Sequence, residues 1–423
     1  MEELKQLYTK MSHKNRIDPS LYPRYRIKQG LRNENGTGVK VGLTKICDVV
    51  GYRMVHGHKY NIEGQLIYRG YRIDDLVSRE MASSEICGFE TTAFLLIFGY
   101  LPTEEQLALF RRTLMENIHT DFIHASYPTS SLLNAMQIEV LKLYATDDNP
   151  DNDQLEDRMI KGLSILATIP LFVFSNYTSA KISAYPLPDK SLAENILYMS
   201  GRTDYTEQEA RTLDILLMIH ADHGGGNNSA FADVVLTSTG TDIYSCISAA
   251  IGSLKGPKHG GAANKMAAQY DQIIHEVGIT TDEKVLEDLV YRILAGEFGD
   301  GSGLVYGIGH AVYTRSDPRA RMIKAAAKTL AEESGNGEAF AMMETLEQVA
   351  CKIMKTVKGI ETCANVDFYS GFAYRMLGIS PDLYTSLFAV ARTSGWIAHH
   401  LENRQSNRKL IRPANIYVGE RYD

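Results

Sequence analysis

The stretch that most constrains this chain is Gly256-Pro257-Lys258-His259-Gly260-Gly261. Gly-Pro cannot continue a helix, and Gly-Gly lets backbone come closer to a partner than side chains would allow. Helical spacing resumes just beyond it, so His259 is presented at a junction between helices. One loop histidine would carry little information. Here His223 and His310 also stand beside glycine, and the three make a set.

Composition narrows the class. The 423 residues exceed a typical domain of ~100–200 residues and predict one large and one smaller domain. A hydrophobic share of 44% and a charged share of 22% describe a globule with a sizeable core. A net charge of −7 argues against nucleic acid as a partner. Five scattered cysteines without a C-x-x-C pair point to a reducing compartment and to no thiol zinc site. The acidic start lacks an apolar signal or Arg-rich transit pattern, so a cytoplasmic location is expected. The most apolar run, Gly162 to Phe174, holds Pro170 and falls short of the ~20 residues that span a bilayer. It reads as a buried helix, with no membrane partner.

Residues Val39–Val55 and Gln65–Ile73 read as strands, and the remainder reads as helix. Thr103-x-x-Gln106 and Thr206-x-x-Glu209 are capping boxes, and Thr280-x-x-Glu283 reads as another cap. Asp317-Pro318 opens a helix with an N-cap and a proline in its first turn. Further helices are expected over Met159–Tyr177, Ile243–Leu254, Ala262–Val277, Glu338–Val357 and Pro381–Asn403. The fold class is mainly α with a small N-terminal β ribbon.

Four polar patches, read as loops between apolar helices and three of them rich in glycine, hold the chemistry: 220–229, 256–261, 307–319 and 365–370. Their acid–base groups are His223, His259, His310 and Asp367. Arg319, in a helix's first turn, runs against the local dipole unless an anion is shared there. Arg392 lies on an otherwise apolar helix and needs a partner, from protein or ligand. A neutral His259, held so by the helix behind it, could polarise a carbonyl while Asp367 removes an adjacent proton. His220 and His223 could instead bite a metal, but Gly-rich surroundings suit substrate approach better. No metal and no cofactor are expected.

These motifs resemble the citrate synthase family over most of the chain. The matching residues are His-Ala-Asp-His at 220–223, Gly-Pro-x-His-Gly-Gly at 256–261, Gly-His-Ala-Val with Asp-Pro-Arg at 309–319, Asn-Val-Asp-x-x-Ser-Gly at 365–371, and Arg412-Pro413. The resemblance implies an all-α, two-domain fold, with residues 1–258 and 372–423 as the large domain and 259–371 as a small mobile one. It implies an acyltransferase of the citrate (Si)-synthase type, condensing acetyl-CoA (a substrate, not a cofactor) with oxaloacetate at entry to the tricarboxylic acid cycle. Asp367 would be the base, His259 would stabilise the enol, and His310 would polarise the oxaloacetate carbonyl. His223, Arg319, Arg392 and Arg412 would grip oxaloacetate, with Arg412 supplied by the partner in a homodimer or hexamer of dimers. Ser229 would orient His259. Gly307, Ile308, Gly309, Ala311, Val312, Arg315 and Asn365 would lie along CoA. The alternatives are a 2-methylcitrate synthase using propionyl-CoA and a non-catalytic sensor of CoA and dicarboxylate. Gly224 departs from the family pattern, which often has Glu there.

Overall fold

Two tight turns make the only sheet among the described residues. Strands β1 (Cys47–Val55), β2 (His58–Tyr68) and β3 (Tyr71–Arg72) pair antiparallel in that order. His56-Gly57 and Arg69-Gly70 link them, all four residues at positive φ, with Val55 opposite His58 and Tyr68 opposite Tyr71. Two central residues at positive φ match the twist of the strands they join. Neither His-Gly nor Arg-Gly announces such a turn as Asn-Gly would, so the expected strand bounds differ from those observed. Residues 39–46 are not strand, β2 begins well before Gln65, and Ile73 opens a helix.

The structure is a computed structural model describing residues 5, 6, 8, 11, 16–120, 131–178, 185–187, 189–406 and 409–419. It forms two compact units, Met1–Leu43 and Thr44–Asp423. The first holds a short helix, α1 (Leu21–Arg24). The second holds the sheet and helices α2 (Ile73–Met81), α3 (Gly88–Phe98), α4 (Glu104–Glu116), α5 (Leu132–Thr146), α6 (Leu155–Thr178) and α7 (Leu192–Met199). It continues through α8 (Glu207–His220), α9 (Asn228–Thr237), α10 (Ile243–Lys255), α11 (Ala262–Val277) and α12 (Glu283–Leu294). The last four are α13 (Pro318–Glu333), α14 (Gly337–Lys358), α15 (Val366–Met376) and α16 (Pro381–Ser406).

Local signals set many of these ends. Thr103 and Thr206 form full capping boxes with Gln106 and Glu209. Asp317 caps α13 by accepting from Arg319 N at 3.0 Å. The cap of α12 is Asp282, not Thr280; Asp282 Oδ1 accepts from Lys284 N, while Thr280 only bonds Asp282 N. By length and composition α6 could cross a membrane, yet 83% of its apolar window is buried inside the protein. Helix α16 runs through the interior, with Leu387, Ala389, Val390, Ala391, Trp396 and Ile397 fully buried. Burial worth ~1.5–3 kcal/mol for each large apolar side chain is what makes such a central helix hold its neighbours.

Candidate active site

Helix α16 carries Arg392 into the interior, where the segments after α8, before α11 and before α13 meet it. Arg392 is 1% exposed. Its Nε donates to His220 O at 2.7 Å and its guanidinium lies 4.6 Å from the Phe388 ring centre. Its Nη2 is buried with no hydrogen-bond partner. Burial pulls its pKa below the usual arginine value, and Asp222 opposes that. An anion arriving here would meet a donor already stripped of water.

Arg319 is also buried, but paired. Its Nε and Nη2 donate to Asp317 Oδ1 and Oδ2 at 3.0 and 2.7 Å. Burial alone would lower its pKa; the Asp317 carboxylate outweighs that and holds it raised. The same Asp317 therefore caps α13 and neutralises the arginine that the helix start would otherwise disfavour. Reading Asp317 only as a cap misses this second use, though the spacing of two residues makes it accessible.

His223 is the hub. Its ring stands edge-on to His310, centroids 5.1 Å apart, and 5.6 Å from Tyr313. Burial first, then the charges of Arg319, His310, Arg392 and His259, hold its pKa well below the usual histidine range. Arg319, His310, Arg392 and His259 thus all stand close enough to His223 to act on it. His223 Nε2 is buried without a partner. The loop carrying it is fixed from below: Asp222 Oδ2 accepts from Gly224 N at 3.0 Å and faces His399 Nε2 at 3.2 Å. Burial would raise the Asp222 pKa, but His399 and Arg392 bring it down to about 2. Gly224 is at φ +75°, with Val49 Cγ2 3.2 Å from where a Cβ would stand. A side chain there would be strained.

His310 has a defined orientation. Its Nδ1 accepts from Val312 N and Tyr313 N, both at 3.1 Å, so the neutral ring carries its hydrogen on Nε2. Nε2 faces Arg319 Nη2 at 3.4 Å. Two donors then point at the same region, where one acceptor oxygen could serve both. His259 Nε2 lies 3.0 Å from Ser229 Oγ. Its pKa is pushed down to about 4 by burial first and then by Arg392. Desolvation, with the charge of Arg392 added, favours the neutral ring. His220 stands apart from these; its Nδ1 is 2.7 Å from Leu216 O, the carbonyl one turn back.

Asp367 lies in the first turn of α15 rather than in a loop. Burial raises its pKa to about 6; Arg319 lowers it and Asp317 raises it. Asn365 caps this helix through Asp367 N at 2.9 Å, and its Nδ2 donates to Gly309 O at 2.7 Å. With the bridge between Ile308 and Ala364, this ties the 307–309 segment to the helix that carries Asp367. Gly307, at φ +79°, lies so close that a Cβ would meet Phe368 Cα at 2.8 Å. Ala311 and Arg315 are exposed, and Val312 O backs onto Gly51. Arg412 is not brought to this cleft; it stands exposed among residues 409–419, which have no helix or strand. Among the described residues, the side chains with metal-ligand spacing are Asp233, Cys246 and His400, away from this histidine set.

A mainly helical protein that gathers buried arginines and neutral histidines at one cleft is the class that this fold and site define. The family model for the citrate synthase C-terminal domain matches residues 33–414. Citrate synthase of Haloferax volcanii is 35% identical over 85% of this chain and 90% of its own. The 2-methylcitrate synthase 1 of Corynebacterium glutamicum is 32% identical over 84% of this chain and 89% of its own. Among solved structures, a ternary complex of Thermoplasma acidophilum citrate synthase with carboxymethyl coenzyme A and oxaloacetate has a TM-score of 0.76 and 26% identity, covering 94% of this chain and 97% of that one. Thermotoga maritima citrate synthase gives 0.71 and 28%, covering 93% and 96%. The chain belongs to the citrate synthase family.

Proposed function

We propose that the protein condenses acetyl-CoA with oxaloacetate, through citryl-CoA, to citrate and free CoA. The observation that carries this reading is the pair of buried, unpartnered nitrogens, Arg392 Nη2 and His223 Nε2, in the cleft that also holds Arg319. An oxaloacetate carboxylate supplies what they lack. Asp367, with its pKa near 6, is ionised at neutral pH and basic enough to take a proton from the acetyl methyl group. A neutral His259 donates to the enol oxygen that forms. His310 donates its Nε2 hydrogen to the oxaloacetate carbonyl as the new carbon–carbon bond closes. Water then cleaves the thioester. No cofactor takes part.

The same reading assigns residues 259–371 to a small domain that closes over the substrates and excludes water from the enol. The segment from Gly307 to Arg315, with Asn365, lies along CoA. Arg412 reaches the partner's site in a homodimer or a hexamer of dimers; its exposure, with Leu410 and Ile416 also exposed, supports that use. A cytoplasmic place at the entry to the tricarboxylic acid cycle follows.

The Corynebacterium relatives favour one second reading, propionyl-CoA as the acyl donor. One methylene is worth only ~1–3 kcal/mol of discrimination. The test is release of free thiol from acetyl-CoA and from propionyl-CoA in the presence of oxaloacetate. Release with acetyl-CoA is expected to be the faster. Asp367→Ala should cut turnover by ~10²–10⁴-fold while oxaloacetate affinity holds; a large loss of affinity would remove Asp367 from the role of base.

A further inference from the structure

Three groups meet at the hydroxyl of Ser229, which is fully buried in the first turn of α9. Trp396 Nε1 is 3.1 Å away, Asn227 Oδ1 2.9 Å and His259 Nε2 3.0 Å. A hydroxyl has one hydrogen and two lone pairs. The indole N–H can only donate, so it occupies a lone pair. Asn227 Oδ1 can only accept, and it already receives Ala230 N at 3.0 Å as the cap of α9. His259 Nε2 can do either. The one hydroxyl hydrogen therefore has two competing acceptors, and the amide oxygen is the one already served. Donation from the indole polarises the hydroxyl and makes it a better donor to the more basic nitrogen.

We propose that Trp396 is a positioning residue: its indole N–H, bonded to Ser229, turns the hydroxyl hydrogen onto His259 Nε2 and leaves the ring's own hydrogen on Nδ1. This rests on the reading of His259 as the donor to the enol. Trp396 follows Arg392 by four residues on α16, one turn along the same face. One helix thus presents the arginine that takes the anion and the indole that sets the hydrogen on the histidine. The indole is 0% exposed, so no water competes for its N–H.

The chain has one tryptophan. Growth of a tryptophan auxotroph on β-(3-benzothienyl)alanine, which keeps the shape and lacks the N–H, therefore changes this position alone. Turnover should fall about tenfold, on the order of one hydrogen bond, with KM for oxaloacetate changed by less than about twofold. Imidazole ¹⁵N spectra should show hydrogen on Nδ1 of His259 in the unmodified protein and on Nε2 after replacement. In a Ser229→Ala background the replacement should have no further effect on turnover. Hydrogen on Nε2 in the unmodified protein overturns the proposal, as does an equal loss of turnover in the Ser229→Ala background, which would mean packing alone. If the unmodified protein releases no thiol from acetyl-CoA, the functional reading fails, while the ¹⁵N spectra still decide the place of the hydrogen.

Discussion

Two buried arginines stand on the same cleft in opposite states. Arg319, at the start of α13, has its guanidinium fork in Asp317 before any ligand arrives. Arg392, in the middle of α16, has one carbonyl, one aromatic face and a nitrogen with nothing to bond. The first is a fixed charge, neutralised by its own neighbour and able to shape the field around Asp367. The second is kept dry and incomplete, as its proposed role in holding an anion requires. A buried pair loses heavily when one member goes, whereas a buried charge without a full partner loses little.

The largest effect expected from this contrast is on stability. Arg319→Leu leaves the Asp317 carboxylate buried and uncompensated, which should cost ~3–5 kcal/mol in a urea unfolding series. Arg392→Leu should leave that stability equal or higher, because it removes a desolvated charge. Equal losses in the two variants would break the comparison. Next in size, Arg392→Leu should weaken oxaloacetate binding about 10–100-fold, the range of one hydrogen bond to a charged group, as read by calorimetry. Unchanged affinity would place the anion elsewhere.

The pH profile sharpens the other half. Asp367 works ionised and titrates near pH 6, so kcat/KM should fall about tenfold per unit below that pH. Asp317 raises the Asp367 pKa, so Asp317→Asn should move this limb to lower pH. A limb that moves up would contradict the charge order. His259, titrating near 4, adds no limb of its own between pH 5 and 8. The smallest effect is Asn365→Ala, which removes the cap of α15 and the tie to Gly309. It should cost ~0.5–2 kcal/mol of stability and leave oxaloacetate affinity unchanged.

Much of the fold was legible because helix signals are local. Thr103-x-x-Gln106, Thr206-x-x-Glu209 and Asp317-Pro318 each act within one turn, and the helices begin where these residues stand. Signals that fell outside the usual turn chemistry were lost, as with His56-Gly57, which moved β2. Asp367 was placed in a loop because its polar patch hid a helix whose cap, Asn365, was counted as a ligand contact. His259, His223 and His310 could be picked out as a set by residue type and glycine neighbours, and Asp367 by residue type within a polar patch. Their electrostatic state could not.

By itself the sequence determined where most helices start, because hydrogen bonds and periodicity over three or four residues decide that, and it singled out candidates for chemistry by residue type. Tertiary structure alone decided which charges are paired. Arg319 meets a carboxylate two residues away, but Arg392 is answered by a carbonyl 172 residues earlier. It also decided that His259, first noticed between glycines, is half-buried and neutral through desolvation and Arg392. The hydroxyl that holds its ring is bonded to Trp396, 167 positions further along the chain. Dielectric surroundings and long-range contacts exist only once the helices have packed, and a pKa or an unpartnered nitrogen is a property of that packing.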